Sequence, residues 1–196
     1  MSMSDAELIE QILAGNMNAF TFLVNRYQKL VVHITGRLIQ RREDLEDVCQ
    51  EVFVKVYKNL GKYRNECRLS TWIATIAYNT GINYLRKFKK FEEVNPEDSV
   101  ALRNLADPGT GSYEMTDLRQ YIREQIELLP LHYRTVVTLF HLEEFSYREI
   151  EEITGMAEGT IKSYLFRAKA LLREKLKKIT DDDSLKKVKK ISHDEG

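Results

Sequence analysis

The chain has 196 residues, 30 of them basic and 30 acidic, and only three prolines. A chain of this length folds as one domain or as two small ones, and its formal net charge of zero means that any nucleic-acid binding must come from local basic patches. It has no uninterrupted apolar run of about 18 residues, which argues against a membrane-spanning helix.

The amino terminus and the cysteines indicate where the protein works. The sequence MSMSDAELIEQ carries acidic residues where a secretion signal has cations followed by an apolar core, so we expect the protein to be cytoplasmic. Cys49 and Cys67 lack the spacing of metal ligands, and in a cytoplasm the default is two reduced thiols.

Residues that could support catalysis are not grouped in the sequence. There is no phosphate-binding loop and no metal-type spacing, and the four histidines lack the context that activates a nucleophile. These histidines are His33, His132, His141 and His193. We therefore expect a protein that is not an enzyme, with no catalytic residue, no metal and no cofactor.

The periodicity of the first half predicts four helices. No period-two strand pattern of useful length is present, so the predicted fold class is all-α. Ser4 and Glu7 have the spacing of a capping box at the start of a first helix that ends near Gly15. The next three predicted helices run from about Asn18 to Arg41, from about Asp44 to Leu60, and from a cap at Ser70 to a cationic end at Lys90.

The third predicted helix has two contrasting faces. Its apolar stripe consists of Leu45, Val48, Cys49, Val52, Val56 and Leu60. Its polar side carries Asp47, Gln50 and Glu51, with Val54 in the middle, followed by the basic residues Lys55 and Lys58. A small apolar spot ringed by polar groups is typical of a protein-docking face. The alternative, a solvated face with one isolated valine, stays open on the pattern alone.

The fourth predicted helix is also two-sided. Its inward stripe is Ile73, Ala77, Gly81, Leu85 and Phe88, and its outward stripe is Trp72, Thr75, Asn79, Asn83, Arg86 and Lys90. Aromatic rings stack on unpaired bases, amides pair with base edges, and cations hold the backbone, so this side suits single-stranded nucleic acid. Two plainer explanations remain open: Trp72 packs in the core, and the cluster of Arg86, Lys87, Lys89 and Lys90 complements the helix dipole.

The composition changes between Glu92 and Asp117. Pro96, Pro108, Gly109 and Gly111 break helices there, and seven acids face the single cation Arg103. These acids are Glu92, Glu93, Glu97, Asp98, Asp107, Glu114 and Asp117. We predict a flexible acidic linker over residues 92–116.

A second helical module is predicted after the linker. Its helices run near Leu118–Leu128, Leu131–Glu143, Ser146–Thr154 and Gly159–Ile179. Within it, Ser146 and Glu149 form a capping-box pattern, and Gly155 supplies the left-handed residue that ends a helix. The tail after Thr180 alternates charge blocks with little to bury, so we expect disorder over residues 180–196.

The last predicted helix is basic, which points to duplex DNA. Ile161, Leu165, Ala168, Leu172 and Leu176 form its apolar stripe. From Thr160 to Lys178 its cations are Lys162, Arg167, Lys169, Arg173, Lys175, Lys177 and Lys178, against the single acid Glu174. A helical hairpin with a solvated cationic face is the alternative. The combination of Ser163, Phe166 and Arg167 on the exposed side favours a DNA-binding helix-turn-helix.

Three blocks of this sequence, in this order, resemble the bacterial RNA polymerase sigma factors of the extracytoplasmic-function (ECF) type. DLEDVCQEVFVKVYKNL is similar to the polymerase-binding helix of that family, and YRNECRLSTWIATIAYNTGINYLRKFKK to its −10-reading and melting segment. LPLHYRTVVTLFHLEEFSYREIEEITGMAEGTIKSYLFRAKALLREKL is similar to its −35-reading domain. The resemblance covers nearly all of residues 5–178.

The resemblance implies two small helical domains and three partners. It implies a sigma region 2 bundle at 1–91 and a sigma region 4 helix-turn-helix domain at 117–179, joined by the linker. The implied partners are core RNA polymerase, through the clamp helices of its largest subunit and its flap, promoter DNA, and an inhibitory anti-sigma factor. The implied function is promoter recognition and DNA melting for transcription initiation.

The same resemblance implies roles for individual residues. The implied polymerase-contacting residues are Asp47, Gln50, Glu51 and Val54. Contact with −10 DNA falls to Tyr63, Arg64, Trp72, Asn79, Asn83, Arg86, Lys87 and Lys90, with Asn79 capturing a flipped base. Contact with −35 DNA falls to Thr160, Lys162, Ser163, Phe166, Arg167 and Lys169.

Three residues depart from the family pattern, and one other function stays open. Glu151 and Glu158 stand where small residues are usual, and Tyr164 stands where arginine is common, which removes one possible phosphate contact. The other function is a stand-alone regulator, which would bind duplex DNA with the second module and a ligand or a protein with the first. Such a regulator would bind promoters without polymerase and would not need Asn79.

Overall fold

The computed structural model of the chain describes residues 3–39, 41–88 and 115–181. Nearly all of the predicted linker, residues 92–114, lies outside these ranges, and so do residues 182–196 of the predicted tail. The described residues are helical and include no strand, which confirms the predicted all-α fold.

Eight α-helices follow one another along the described chain. They are α1 (Asp5–Leu13), α2 (Met17–Leu38), α3 (Arg42–Asn59), α4 (Leu69–Phe88), α5 (Met115–Glu127), α6 (Leu131–Val137), α7 (Tyr147–Thr154) and α8 (Glu158–Asp181). A 3-10 turn at Leu60–Lys62 follows α3, and a π-helical turn at Thr138–Leu142 continues α6.

Several predicted boundaries differ from the structure. Helix α2 ends at Leu38 and not near Arg41, α5 begins at Met115 within the predicted linker, and α8 continues to Asp181, two residues into the predicted tail. We predicted Ser70 as the cap of the fourth helix, but α4 begins at Leu69, and the amide of Trp72 donates to the carbonyl of Arg68 at 3.1 Å. Ser70 therefore lies inside the first turn. We also predicted one regular helix from Leu131 to Glu143, whereas its last turn widens to a π-helix, with the amide of Glu143 bonded to the carbonyl of Thr138.

By contacts, the chain divides into two compact units. The first combines Met1–Glu92 with Thr138–Ile161, and the second combines Glu93–Val137 with Lys162–Gly196. The predicted domain boundaries, which assign residues 117–179 to one domain, stay a prediction beside this division.

The first unit has its core around α2, which packs against α1, α3 and α4. Fully buried side chains from these helices include Leu8, Leu23, Val31, Val52, Val56 and Ile73. Helices α2 and α4 approach closely at Gly81, where an added Cβ would overlap the side chain of Leu38. The inward position predicted for Gly81 is therefore a requirement of helix packing, because a side chain there needs space that Leu38 occupies.

Helix α7 also belongs to the first unit and packs against α4. Thr71 Oγ1 donates to Glu149 Oε1 at 3.0 Å, and Arg68 Nε lies 3.8 Å from the same oxygen. A further polar contact joins His33 Nδ1 of α2 to Glu143 Oε1 at 2.6 Å. The start of α4 is thus held by polar contacts that are distant in sequence.

The second unit is stabilised by a buried cation and by aromatic contacts. Arg134 of α6 is 7% exposed, and its Nη1 donates to the carbonyl of Glu127 at 2.6 Å. The ring of Tyr164 of α8 lies 5.3 Å from the ring of Tyr133 and 5.9 Å from that of His132. Aromatic pairs at these separations contribute about 0.5–1.5 kcal/mol beyond the area that they bury.

Candidate protein and nucleic-acid interfaces

The outward side of α3 keeps the predicted pattern. Val48, Val52 and Val56 are buried, whereas Asp47, Gln50 and Glu51 are exposed. Val54 is 50% exposed in their midst. We call Asp47, Gln50, Glu51 and Val54 the α3 outer face. An exposed valine ringed by polar groups has the composition of a protein contact, and its role in polymerase binding stays a prediction.

The apolar stripe of α3 is less complete than predicted. Leu45 and Cys49 are only half-buried. Cys49 Sγ lies 3.2 Å from Thr35 Oγ1 of α2, and burial raises the pKa of its thiol. A protonated thiol packed beside a hydroxyl is consistent with the packing role that the pattern suggested.

A lysine that the motif did not single out connects α3 to α4. Lys55 Nζ lies 2.7 Å from Glu51 Oε1 and donates to Thr80 Oγ1 at 3.2 Å. The spacing of Glu51 and Lys55 indicates an ion pair along one helix, but no sequence pattern links either residue to Thr80. This contact joins the α3 outer face to the helix that carries the predicted −10 contacts.

The structure presents the predicted base-reading side chains of α4 to solvent. Asn79, Asn83, Arg86 and Lys87 are exposed, whereas the inward stripe at Ile73, Ala77, Gly81 and Leu85 is buried. The side chain of Phe88 and all of Lys90 lie outside the described residues. Asn79 and Asn83 are four residues apart, so they lie on one face of the helix. Two amides on one exposed face can pair with base edges.

The loop before α4 brings Tyr63 and Trp72 together. Their ring centroids are 5.5 Å apart, and both side chains are half-buried. The hydroxyl of Tyr63 lies 2.6 Å from the carbonyl oxygen of Cys67, and burial raises its pKa. Arg64 is exposed beside them. The ring contact and the hydrogen bond of Tyr63 thus help to shape this loop.

Close to this loop, Cys67 faces an acidic helix. Burial raises the pKa of its thiol to about 11, and a hydrogen bond with Glu152 of α7 adds to the shift. A thiol in this setting stays protonated at neutral pH and is a weak nucleophile. The expectation that Cys67 is reduced is consistent with this environment.

The local signals of the predicted helix-turn-helix appear in the structure. Ser146 and Glu149 make both hydrogen bonds of a capping box at the start of α7, and Gly155 ends that helix with a φ of 73°. The carboxylate of Glu158 lies in the first turn of α8, where a negative charge suits the helix dipole. Glu151 is exposed on α7. Neither of these two departures from the family pattern places a charge in the core.

Helix α8 separates a buried stripe from an exposed basic side. Ile161, Leu165 and Ala168 are buried, and Lys162, Arg167 and Lys169 are exposed. Phe166 is 76% exposed, a high value for a large apolar side chain. Thr160 and Ser163 are half-buried at the edge of this side. Cations, a hydroxyl and an apolar ring on one convex surface match what a major groove offers.

The third departure from the family pattern has a structural explanation. Tyr164 does not stand among the exposed cations but packs against the rings of His132 and Tyr133. An arginine at this position would lack the ring that makes these two aromatic contacts. The sequence did not indicate this role, because Tyr133 and Tyr164 are distant along the chain.

Two absences complete the description. Within residues 3–39, 41–88 and 115–181, no group of three or more histidine, cysteine, aspartate or glutamate side chains is arranged to hold a metal ion. None of the helices in those same ranges is long and apolar enough to cross a membrane.

Comparisons with known proteins agree with this architecture. Sigma-70 region 2 matches residues 23–91, and Sigma-70 region 4 matches residues 119–172. The ECF RNA polymerase sigma-E factor of Haemophilus influenzae is 34% identical over 182 residues, which are 89% of this chain and 96% of that protein. The corresponding factor of Escherichia coli K12 is 33% identical over 183 residues, covering 89% and 95%.

A solved sigma factor structure has a similar fold. The sigma factor RpoE of Bartonella quintana, solved in complex with the anti-sigma factor NepR, is 26% identical and superposes with a TM-score of 0.61. The match covers 81% of this chain and 96% of that one. Both region matches, the full-length relatives and this fold lead to one conclusion: the chain belongs to the ECF sigma factors of the sigma-70 family.

Proposed function

We propose that this protein binds core RNA polymerase, recognises −35 and −10 promoter elements, and promotes melting of the −10 DNA. The observation that carries the proposal is the exposed pair Asn79 and Asn83 on a helix whose other side is buried. Side-chain amides on an exposed face do not contribute to the buried core, but they can form hydrogen bonds with unstacked bases. The α3 outer face supplies the polymerase contact.

Melting follows from differential binding and needs no nucleotide hydrolysis. A protein that binds the opened strand more tightly than the duplex shifts the equilibrium toward the opened form. Flipping out a base costs a few kcal/mol, and stacking on protein returns about 1–3 kcal/mol per base. Asn79 captures one base, Trp72 and Tyr63 offer aromatic surface nearby, and Arg86 and Lys87 hold the backbone.

The second DNA contact comes from α8. Lys162, Ser163, Phe166 and Arg167 enter the major groove of the −35 element, with Thr160 and Lys169 on the flanking backbone. In a helix-turn-helix, the second helix reads base edges in this way. This contact positions the protein on duplex DNA, and the α4 contact acts where the duplex opens.

An anti-sigma factor regulates the protein in this proposal. Support comes from the Bartonella quintana sigma factor of the same fold, which was solved with such an inhibitor. Tagged protein isolated from its own cells should carry a partner that, once purified, blocks transcription by the reconstituted holoenzyme. Recovery of polymerase subunits alone would contradict this part of the proposal.

The main test is transcription with purified core polymerase on a library of genomic DNA fragments, followed by mapping of start sites. We expect transcripts that share sequence near −10 and −35 and that appear only when this protein is added. Replacing Gln50 and Glu51 together with alanine should weaken core binding by about 1 kcal/mol, because both lie on the α3 outer face. Glu43→Ala, which removes an exposed acid at the start of α3, is the control.

A further inference from the structure

The contact between Lys55 and Thr80 connects two surfaces that the proposed function treats separately. Lys55 belongs to α3, where it pairs with Glu51 of the α3 outer face at 2.7 Å. The same ammonium donates to the hydroxyl of Thr80 on α4 at 3.2 Å. Thr80 directly follows Asn79, the residue proposed to capture a base. One side chain therefore spans the distance from the polymerase side to the base-reading helix.

Thr80 is a buried residue whose hydroxyl can accept the hydrogen bond from Lys55. It is 3% exposed, so it can reach neither polymerase nor DNA. Its hydroxyl donates its own proton to the carbonyl of Ile76 at 2.7 Å, which leaves its lone pairs to accept from Lys55. A buried acceptor is costly to leave without a donor. The ammonium of Lys55 meets that need.

The position of Thr80 determines how Asn79 and Asn83 face outward. Thr80 and Tyr84 form a strip along α4 that lies about 100° around the helix from the strip of Asn79 and Asn83. Both Thr80 and Tyr84 interact with α3. Thr80 accepts from Lys55, and Tyr84 makes a hydrogen bond with Asp44 that raises the pKa of the Tyr84 hydroxyl. Polar contacts along one strip resist rotation of the helix about its axis, and they thereby help to hold the adjacent strip in one direction.

We propose that Lys55 is a positioning residue for DNA melting: by joining Glu51 of the α3 outer face to Thr80, it fixes the rotation of α4 that presents Asn79 and Asn83 to the opened −10 strand. The inference rests on the proposed function and adds Lys55, which acts on Asn79 and Asn83 through Thr80. It places the link between polymerase docking and base capture in a single side chain.

The test compares variants that remove the contact from either end. Lys55→Met removes the donor and the charge but keeps the length of the side chain. Thr80→Val removes the acceptor at nearly constant volume and leaves every surface charge in place. Lys55→Arg and Thr80→Ser retain a donor and a hydroxyl. Lys29→Met removes an exposed lysine from α2 and controls for the loss of one positive charge.

The measurements are the affinity for core polymerase, binding to a duplex −35 element, and permanganate reactivity of −10 thymines at saturating holoenzyme. We expect Lys55→Met and Thr80→Val each to lower open-complex formation about fivefold, with less than about a twofold change in the other two. The double variant should lose no more than either single variant, because both remove the same contact. Lys55→Arg, Thr80→Ser and Lys29→Met should behave like the natural protein.

Two results would overturn the inference while leaving the proposed function intact. One is open-complex formation by Lys55→Met equal to that of the natural protein. The other is a defect in Lys55→Met that Thr80→Val does not share, because Lys55 would then act by its charge on polymerase or DNA. If Thr80→Val does not fold, a melting defect in Thr80→Ser equal to that of Lys55→Met would count against the inference. Failure of the natural protein to open DNA with core would instead overturn the proposed function.

Discussion

The two helices proposed to contact DNA differ in how they are held. Helix α4 contacts three other helices while its Asn79 side stays exposed: Gly81 meets Leu38 of α2, Thr80 meets Lys55 of α3, and Thr71 meets Glu149 of α7. Helix α8 is buried along one stripe, and the side that carries Phe166 is open.

This difference matches two kinds of recognition. Capturing a flipped base requires a side chain whose direction is fixed before the base arrives, since any freedom left in the helix reduces the affinity. Reading a duplex groove requires a convex surface that can enter it, and packing on that side would block entry. The packing of α4 and the exposure of α8 thus each serve the proposed contact.

The largest effect is expected at Asn79. In Asn79→Ala, the −10 strand loses its proposed partner on the fixed face of α4, so open-complex formation should fall about 10- to 100-fold. Closed-complex formation, which depends on α8 and on duplex contacts, should change little. Permanganate footprinting and gel-shift titration measure the two steps, and Asn25→Ala on the exposed side of α2 is the control. Equal losses in both steps would remove the base-capture role.

A matched pair of glycines tests the packing difference itself. Gly81→Ala introduces a methyl group into the space of the Leu38 side chain. We expect unfolding to become easier by up to about 2 kcal/mol, which is the overpacking cost less the gain in helix propensity of about 1 kcal/mol. Gly159→Ala in the first turn of α8 meets nothing within 4 Å and should be neutral, or stabilising by up to about 1 kcal/mol. Urea denaturation measures both. Similar costs for the two variants would mean that α4 is no more tightly packed than α8.

On the exposed side of α8, a substitution that removes a base contact should weaken DNA binding in a way that depends on DNA sequence. Arg167→Ala should weaken binding to the −35 element by about 1–2 kcal/mol if the guanidinium pairs with a base. Lys169→Ala should weaken binding to all duplexes alike and lower the salt dependence, as expected for a phosphate contact. Binding titrations on −35 variants at several salt concentrations distinguish the two. A sequence-independent loss in Arg167→Ala would make Arg167 another phosphate contact.

The smallest effect concerns the polar contacts at the start of α4. Burial raises the pKa of Glu149, but hydrogen bonds from Ser146 and Thr71 and the charge of Arg68 outweigh it, so the net pKa lies below the usual 4.5. A lowered carboxylate pKa stabilises the fold above pH 4.5, and this stabilisation is lost as the pH falls through the lowered value. Glu149→Gln should therefore cost about 0.5–1 kcal/mol at pH 7 and less at pH 3.

Chemical denaturation at several pH values measures this pH dependence. Glu151→Gln, which changes an exposed carboxylate of the same helix, is the control. A loss in Glu149→Gln that is independent of pH would show that the charge of Glu149 does not contribute to the contact with α4.

Local features of this fold could be predicted from the sequence, because neighbouring residues determine them. The capping boxes at Ser4 and Ser146 and the end of α7 at Gly155 appear as predicted, whereas the predicted stripe of α8 is buried at Ile161, Leu165 and Ala168 and only half-buried at Leu172 and Leu176. The exposure of Val54, Asn79 and Phe166 also followed from helical periodicity. In each case, the signal lies within about four residues along the chain.

The remaining features depend on residues that are far apart in sequence. The contact of Lys55 with Thr80 spans 25 residues, and that of Thr71 with Glu149 spans 78. The packing of Tyr164 against Tyr133 likewise required the folded structure. The start of α4 at Leu69 in place of Ser70 is different, because it is a local feature: a serine is a possible cap only where the preceding backbone has not already entered the helix.

The most direct test of the whole account is permanganate footprinting of a promoter found by start-site mapping. Three samples are compared: this protein alone, core polymerase alone, and both together. The account predicts reactive thymines near −10 only when both are present, and loss of that reactivity in Asn79→Ala. Tight promoter binding by the protein alone, with no thymine reactivity when core is added, would contradict the account and favour a stand-alone DNA-binding regulator.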